Sequence, residues 1–334
     1  MSDAAADAGA KTRDSRSVAR LTTGRSALRA DCHNQRMPKS LPLRHFLLAI
    51  AVVFVWGTNF VVIKLALGHL PPLLFAALRF TLAFVPAVFF LPRSNVKWKP
   101  LALYGCLLGI GQFGLLYVAM NGHISPGIAS LVIQIQVFFT IGLSMRLAGE
   151  KVHAFQWIAL LLATSGIATI VMHTDGSTTL LGLALILVAA FSWASANMVA
   201  KRDQPSHMLS YVVWSSVFTV PPLFALSLIF EGFDVGLAAI RQADAATWAA
   251  VAWQSWGNTL FGYAAWGWLL ARHPAATITP MALLVPVFGM SASAFLLAEP
   301  LPAWKLIAAA LVMAGLAVNL LWPRIRMQWI SNNP

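Results

Sequence analysis

The chain alternates long apolar runs with short polar joints. Apolar runs of about twenty residues, the length that crosses a bilayer core of roughly 30 Å as a helix, lie near 46–66, 72–91, 100–120, 126–146, 153–172, 179–200, 209–230, 246–270, 274–297 and 303–323. The joints carry Pro71-Pro72, Pro92-Arg93, Gly149-Glu150-Lys151, Lys201-Arg202-Asp203, His273-Pro274 and Glu299-Pro300. Such residues end helices or hold turns in water. The runs are continuously apolar and do not alternate, which predicts helices and not the roughly ten-residue strands of a barrel.

Residues 1–44 are polar, rich in Ala, Ser and Arg, and without period. They predict a disordered basic tail and lack the apolar core and small-residue cleavage site of a signal peptide. Met37 opens MPKSLPLRH just before the first run and is one expected start. The other reading keeps the whole segment as a cytoplasmic tail against anionic lipid. The expected architecture is all-α and polytopic, with ten transmembrane helices. The tail is followed by one five-helix repeat at 45–172, a second at 173–323 and a short cytoplasmic tail at 324–334.

Composition narrows the class. Hydrophobic residues make up 59% of 334 and charged residues 10%, with a mean hydropathy of +0.73. Soluble domains carry roughly a quarter charged residues. The net charge of +12 is distributed for topology and not for binding nucleic acid. Nine Lys/Arg lie between Lys11 and Arg44. With the N-terminus inside, the inner segments also hold Arg93, Lys97, Lys99, Arg146, Lys151, Lys201, Arg202, Arg272, Arg324 and Arg326, and the outer ones only Arg241 and Lys305. The positive-inside rule then puts both termini in the cytoplasm.

The two halves echo each other. Trp56 and Lys64 match Trp193 and Lys201 at one offset, and Asn59 and Asn197 follow their tryptophans by three and four residues. Gly149-Glu150 mirrors Ala298-Glu299, and Gly166 matches Gly315. Five spans per half is an odd number, so the second copy enters the membrane inverted. Inverted repeats place a substrate site near the midplane, where the halves meet.

The stretches VWGTNFVVIK (55–64), PPLLFAALRF (71–80), ASLVIQIQVFFTI (129–141), Gly149-Glu150, AAFSWASANMVAK (189–201) and PMALLVPVFG (280–289) resemble the EamA family of the drug/metabolite transporter superfamily. Within that family the likeness is strongest to bacterial O-acetylserine/cysteine exporters. The resemblance implies a bacterial inner-membrane secondary exporter of small amino-acid metabolites. A same-fold exporter of another solute, such as a drug-like cation, a nucleobase or another amino acid, is the alternative.

Arg79 is the most informative position, because it lies about 10 Å along its helix from Pro72 at 1.5 Å per residue with no Asp or Glu inside any span to pair it. A charge at such depth faces the bundle interior or a wet cavity. Its counter-ion is then a substrate carboxylate, unless the side chain snorkels or bonds backbone carbonyls. Trp56 and Asn59 share a helix face and are candidates either for the cavity or for helix–helix contact, as are Trp193 and Asn197. Trp214 stands where the second half would repeat Arg79. Gln134 and Gln136 project in nearly opposite directions, so one of them, with Gln136 the cavity candidate, serves interhelical contact. Gln112 and Asn258 are single mid-span amides. Gly105 and Gly109 have the spacing of a close helix contact. Pro280 and Pro286 interrupt the ninth run as gate or kink. Lys64 and Lys201 are expected anchors, and Glu150 and Glu299 are expected in the first turns of spans five and ten.

The chain has no P-loop, no His/Cys/Asp/Glu cluster for a metal, no Ser/His/Asp set, and two cysteines, Cys32 and Cys106, that frame nothing. Neither enzyme chemistry nor a cofactor is expected. The partners are the bilayer and a small solute. Reporters fused after residues 122 and 238 should read periplasmic and those after 95 and 203 cytoplasmic. A cytoplasmic reading at 238 would remove the inverted repeat.

Overall fold

In lipid, every backbone N–H and C=O must find its partner within the chain, so apolar runs of this length become helices. The computed structural model describes residues 41–148, 153–174 and 176–332. The expected tail and the Gly149-Glu150 joint lie outside the described residues. Arg44–Pro334 forms one unit. Its helices are α1 (Leu43–Ala66), α2 (Pro72–Val88), α3 (Trp98–Met120), α4 (Pro126–Leu147), α5 (Ala154–Met172), α6 (Leu180–Asp203) and α7 (Met208–Phe230), then α8 (Phe233–Gln242), α9 (245–272), α10 (275–297) and α11 (Ala303–Asn332). Among the described residues, eight helices are long and apolar enough to cross a membrane, and α2 is a shorter apolar helix.

Two features differ from the sequence reading. The joint after α7 contains a helix of its own, α8, introduced by Gly232 at φ 90° and carrying Asp234 in its first turn and Arg241 in its last. Those charges suit the helix dipole, but a ten-residue stretch of mixed polarity has too weak a period to read. The last helix also continues through Pro323 to Asn332.

Departures from α geometry recur at matching places. The middle of α3 is π-helical over Cys106–Gly114, and the middle of α9 over Trp253–Phe261. A 3-10 turn interrupts α4 at Ile133–Ile135 and α10 at Thr279–Leu283, where Pro280 sits. Pro286 is buried in the helix that follows.

Small residues set the closest packing. A Cβ on Gly166 of α5 would lie 2.6 Å from Val312 of α11, and one on Gly315 of α11 would lie 2.6 Å from the Ala159 carbonyl of α5. Two glycines that match in sequence thus serve one reciprocal crossing. Gly105 and Gly109 both meet Thr219 of α7, whose Oγ1 donates to the Gly105 carbonyl at 2.7 Å.

Two glutamates cap helices remote in sequence. α2 and α4 each start at a proline, and neither has a side-chain cap from its own N-cap residue. Glu231, after α7, accepts from the N–H groups of Leu73 and Leu74 at 2.6 and 3.0 Å, and from Ser227 at 2.7 Å. Glu299, after α10, accepts from the Gly127 N–H at 3.0 Å, from Ser293, and from Lys305 Nζ at 2.8 Å. A carboxylate at a helix N-terminus satisfies otherwise orphaned donors and meets the positive end of the dipole. The expectation for Glu299 is thereby corrected. It lies ahead of α11, whose first turn has no acidic residue, and serves α4 instead. The first turn of α11 is met by the Pro302 carbonyl, which accepts from Lys305 and Leu306, while the Gly127 N–H at the proline-led start of α4 takes Glu299 as its acceptor.

Other contacts join the ends of helices. Thr179 donates its N–H and hydroxyl to the His123 carbonyl at 2.8 and 3.0 Å. The Ser206 N–H reaches Asn95 Oδ1 at 3.2 Å, and the ring nitrogens of His45 and His273 are 2.7 Å apart.

Burial alone would push the Glu299 carboxyl up. Hydrogen bonds from Lys305, Ser293 and the Gly127 N–H outweigh it and hold the group below its usual value. A depressed carboxyl contributes stability that is full above the unfolded value, about 4.3, and is lost as pH falls through the folded one. Lys305, 1% exposed, is tied to the same carboxylate. Lys305→Met should therefore destabilise the protein by about 3–5 kcal/mol, and the double variant with Glu299→Gln should recover most of that. Unfolding in detergent measures both, and Glu299→Gln should flatten the acid limb of the stability curve.

Candidate functional site

Arg79 is 0% exposed in the middle of α2, and the residues around it come from three other helices. Nη1 donates to Tyr117 Oη of α3 at 3.0 Å, and Nη2 to Thr259 Oγ1 of α9 at 2.9 Å. The Tyr117 hydroxyl, having accepted from Arg79, donates to Gln254 Oε1 at 3.1 Å. The Thr259 hydroxyl likewise donates to the Gln254 carbonyl at 3.0 Å. Ser255 Oγ donates to the Arg79 carbonyl at 2.9 Å. Gln254 Nε2 faces the Asn59 carbonyl of α1 at 3.5 Å. The Tyr117 and Thr259 hydroxyls each accept and donate, so along these two the proton order runs away from the guanidinium.

The guanidinium carbon sits 3.7 Å from the centre of the Phe113 ring and 5.0 Å from that of Phe80. A desolvated cation–π contact stabilises by about 2 kcal/mol, well short of the several kcal/mol it costs to bury an ion. Among the described residues, no carboxylate forms an ion pair with Arg79, and its Nε has no hydrogen-bond partner. The cation is solvated by hydroxyls and a ring, with its countercharge missing.

The π-helical geometry contributes to this arrangement. Within Trp253–Phe261 the residues Gln254, Ser255, Asn258 and Thr259 are all buried. Within Cys106–Gly114, Gln112 and Phe113 are buried. Such wide turns recur at functional sites, because they expose backbone and re-aim side chains.

The structure brings several sequence candidates together. Arg79, Asn59 and the backbone of Asn258 belong to one region. Trp56 Nε1 donates to the Asn258 carbonyl at 3.2 Å, and its ring lies 5.2 Å from Trp266 and 6.1 Å from Tyr263. Gly262 leaves the indole room, since any Cβ there would strike it. Gln112 is 4% exposed and immediately precedes Phe113. Gln136 and Asn197 form a separate pair, with Asn197 Nδ2 donating to Gln136 Oε1 at 3.2 Å. Trp193 is half-buried against the apolar core. Trp214 is not beside Arg79; its Nε1 donates to the Pro92 carbonyl at 3.1 Å, at the end of α7.

Tyr117, Gln254, Ser255, Thr259 and Phe113 were not among the sequence candidates. The spacing of 254, 255, 258 and 259 marks one polar helix face in an apolar run, and that signal was available. Tyr117 shares its run with Tyr104, and no spacing singles it out.

A bundle of long apolar helices around a buried cation is the architecture of a multi-pass membrane protein. The model of the EamA-like transporter family matches residues 43–172 and again 180–321, and the chain belongs to that family. It is 38% identical over 286 residues to a protein of Escherichia coli (strain K12) described as "Probable amino-acid metabolite efflux pump". That alignment covers 84% of this chain and 95% of the relative. A protein of Salmonella typhimurium with the same description matches over the same 286 residues at 38%. An "Uncharacterized transporter" of Archaeoglobus fulgidus is 26% identical, over 81% of this chain and 96% of its own length. A solved crystal structure shares the fold, with a TM-score of 0.57 at 18% identity, over 85% of this chain and 99% of that one.

Tyr117→Phe would leave Arg79 Nη1 and Gln254 Oε1 without their partner. Two buried groups made orphans cost about 2–4 kcal/mol. Denaturant unfolding of the purified variant should register that loss, and an unchanged midpoint would show that the phenol bond carries no weight.

Proposed function

We propose that the chain is a secondary exporter of small amino-acid metabolites of the cysteine/O-acetylserine class, working by alternating access in the bacterial inner membrane. Ten helices span the bilayer: α1–α5 in the first half, and α6, α7, α9, α10 and α11 in the inverted second half. Both termini are cytoplasmic, and α8 lies in an outer joint.

Several observations support this topology. The family model matches twice in tandem. The π-helical segments fall in the third helix of each half and the 3-10 turns in the fourth. Contacts between helix ends respect the parity that ten spans require. Leu73 with Glu231, Gly127 with Glu299, and His123 with Thr179 all join outer ends. Asn95 with Ser206, Pro92 with Trp214, and His45 with His273 all join inner ends. Of the two outer cations, Lys305 is neutralised by Glu299, which sharpens the inward bias of positive charge.

The reading of the substrate rests on one observation: Arg79 is buried between the halves, with no carboxylate paired to it among the described residues. A substrate carboxylate supplies the missing charge. Arginine's planar fork suits it better than a lysine point charge does. With Arg79 fully covered, solute reaches it only when the halves part, as alternating access demands. Trp56 and Asn59 form part of the same cavity, with Gln112 and Asn258 on the two π-helical segments. Pro280 and Pro286 lie where α10 changes geometry and act in its movement.

Arg79→Lys should lower the apparent affinity for amino-acid substrates while the protein still inserts, and Arg79→Ala should nearly abolish their export. Efflux against substrate concentration, normalised to membrane abundance, separates this from a scaffold role. Wild-type affinity in Arg79→Ala would sink the carboxylate reading.

A further inference from the structure

Three buried polar atoms next to the Arg79 cluster lack hydrogen-bond partners: Arg79 Nε, Asn59 Oδ1 and Gln112 Oε1. Their residues are 0%, 4% and 4% exposed. Native interiors pair nearly all such atoms, so a group of orphans at one place calls for a reason. The two amides belong to residues that adjoin members of the Arg79 cluster. The Asn59 backbone carbonyl faces Gln254, which accepts from Tyr117, which accepts from Arg79. Gln112 is followed by Phe113, whose ring lies under the guanidinium.

The orphans are one charged donor and two neutral acceptors. A carboxylate only accepts and an ammonium only donates. A solute bearing a carboxylate alone would satisfy Arg79 Nε and leave both amide oxygens unpaired. An amine alone would satisfy the oxygens and add a second positive charge beside the first. Among solutes carrying these two charged groups, the one with both fits all three atoms. The acceptors are amides and not carboxylates, which fits the same logic, because an acidic side chain here would neutralise Arg79 and remove its demand for substrate. Indole and phenol faces at Trp56 and Tyr263 line the neighbouring space, and such faces also favour a cation.

Building on the carboxylate reading of Arg79, we propose that the side-chain oxygens of Asn59 and Gln112 receive the α-ammonium of the substrate, making the site selective for zwitterionic α-amino acids over carboxylates that lack the amine. The two residues are then specificity determinants. Sites that bury unmatched polar groups reject a ligand lacking the complementary group far more strongly than apolar pockets reject a change of shape.

The test uses the full chain in proteoliposomes, with L-cysteine, its des-amino analogue 3-mercaptopropionate and its decarboxylated analogue cysteamine as competitors. Wild type should prefer L-cysteine to either analogue by at least about tenfold. Asn59→Leu and Gln112→Leu should each collapse the L-cysteine to 3-mercaptopropionate ratio toward one, mainly by weakening L-cysteine. Replacing an unpaired buried amide with an apolar isostere should not destabilise the fold, so both variants should keep or raise the thermal midpoint. An unchanged ratio in both leucine variants, with Arg79→Lys still weakening both carboxylates, overturns the ammonium assignment and leaves the reading of Arg79 intact. Wild-type L-cysteine affinity in Arg79→Ala, or no binding of L-cysteine or O-acetylserine by wild type, overturns that reading and the assignment with it.

Discussion

A guanidinium held away from water, with no carboxylate paired to it among the described residues, is the constraint around which the centre of this protein is arranged. Burying an ion costs several kcal/mol unless it is paired. Around Arg79 the protein supplies two hydroxyls, two aromatic rings and a chain of amide and hydroxyl bonds leading away. Each of these is dipolar or polarisable, and none carries charge. The arrangement lowers the cost of the cation without cancelling it. An internal glutamate would have made a quieter core, but one with nothing to offer an anion.

The same economy of charge governs the helix ends. The acidic side chains with most buried bonds, Glu231 and Glu299, are spent on the N-termini of α2 and α4. Both helices begin with proline, which sets their backbone but leaves their first N–H groups uncapped. The carboxylates come from the far half of the chain, so each cap is also a tie across the bundle. Charge-assisted bonds to exposed backbone donors are strong when shielded from water. These ties therefore contribute to closing the end of the bundle where they sit, while Arg79 stays covered within. In the proposed cycle they must loosen for the solute to leave, and an outer face closed by a few identifiable bonds can open without dismantling the apolar packing beneath.

Much of this was legible in the residues. The apolar runs gave the helices to within a few residues, because a bilayer admits no other use for them. The charge of Arg79 stood out against its neighbours, and so did the absence of any acid within reach in the same runs. Gly166 and Gly315 matched in sequence before they proved to face each other across α5 and α11. Less was visible where one residue answers to a partner far along the chain. Trp214 occupies the place that mirrors Arg79, yet packs at a helix end against Pro92. Glu299 sits beside one helix and caps another.

The sequence by itself determined the membrane class, the helix lengths, the family and the presence of one deep cation, since each follows from local composition and from patterns within single runs. Only the tertiary structure decided which side chains solvate that cation, that Tyr117 and Gln254 join it, and that Asn59 and Gln112 keep unpaired oxygens beside it. It also decided that α3 and α9 widen into π-helices where they meet Arg79. These outcomes depend on contacts between separate helices, Arg79 with Tyr117 38 positions away and with Thr259 180 positions away, and on a backbone geometry that no spacing rule encodes. A hydrogen bond is decided within a few tenths of an ångström, and that precision arises only when all the helices are packed.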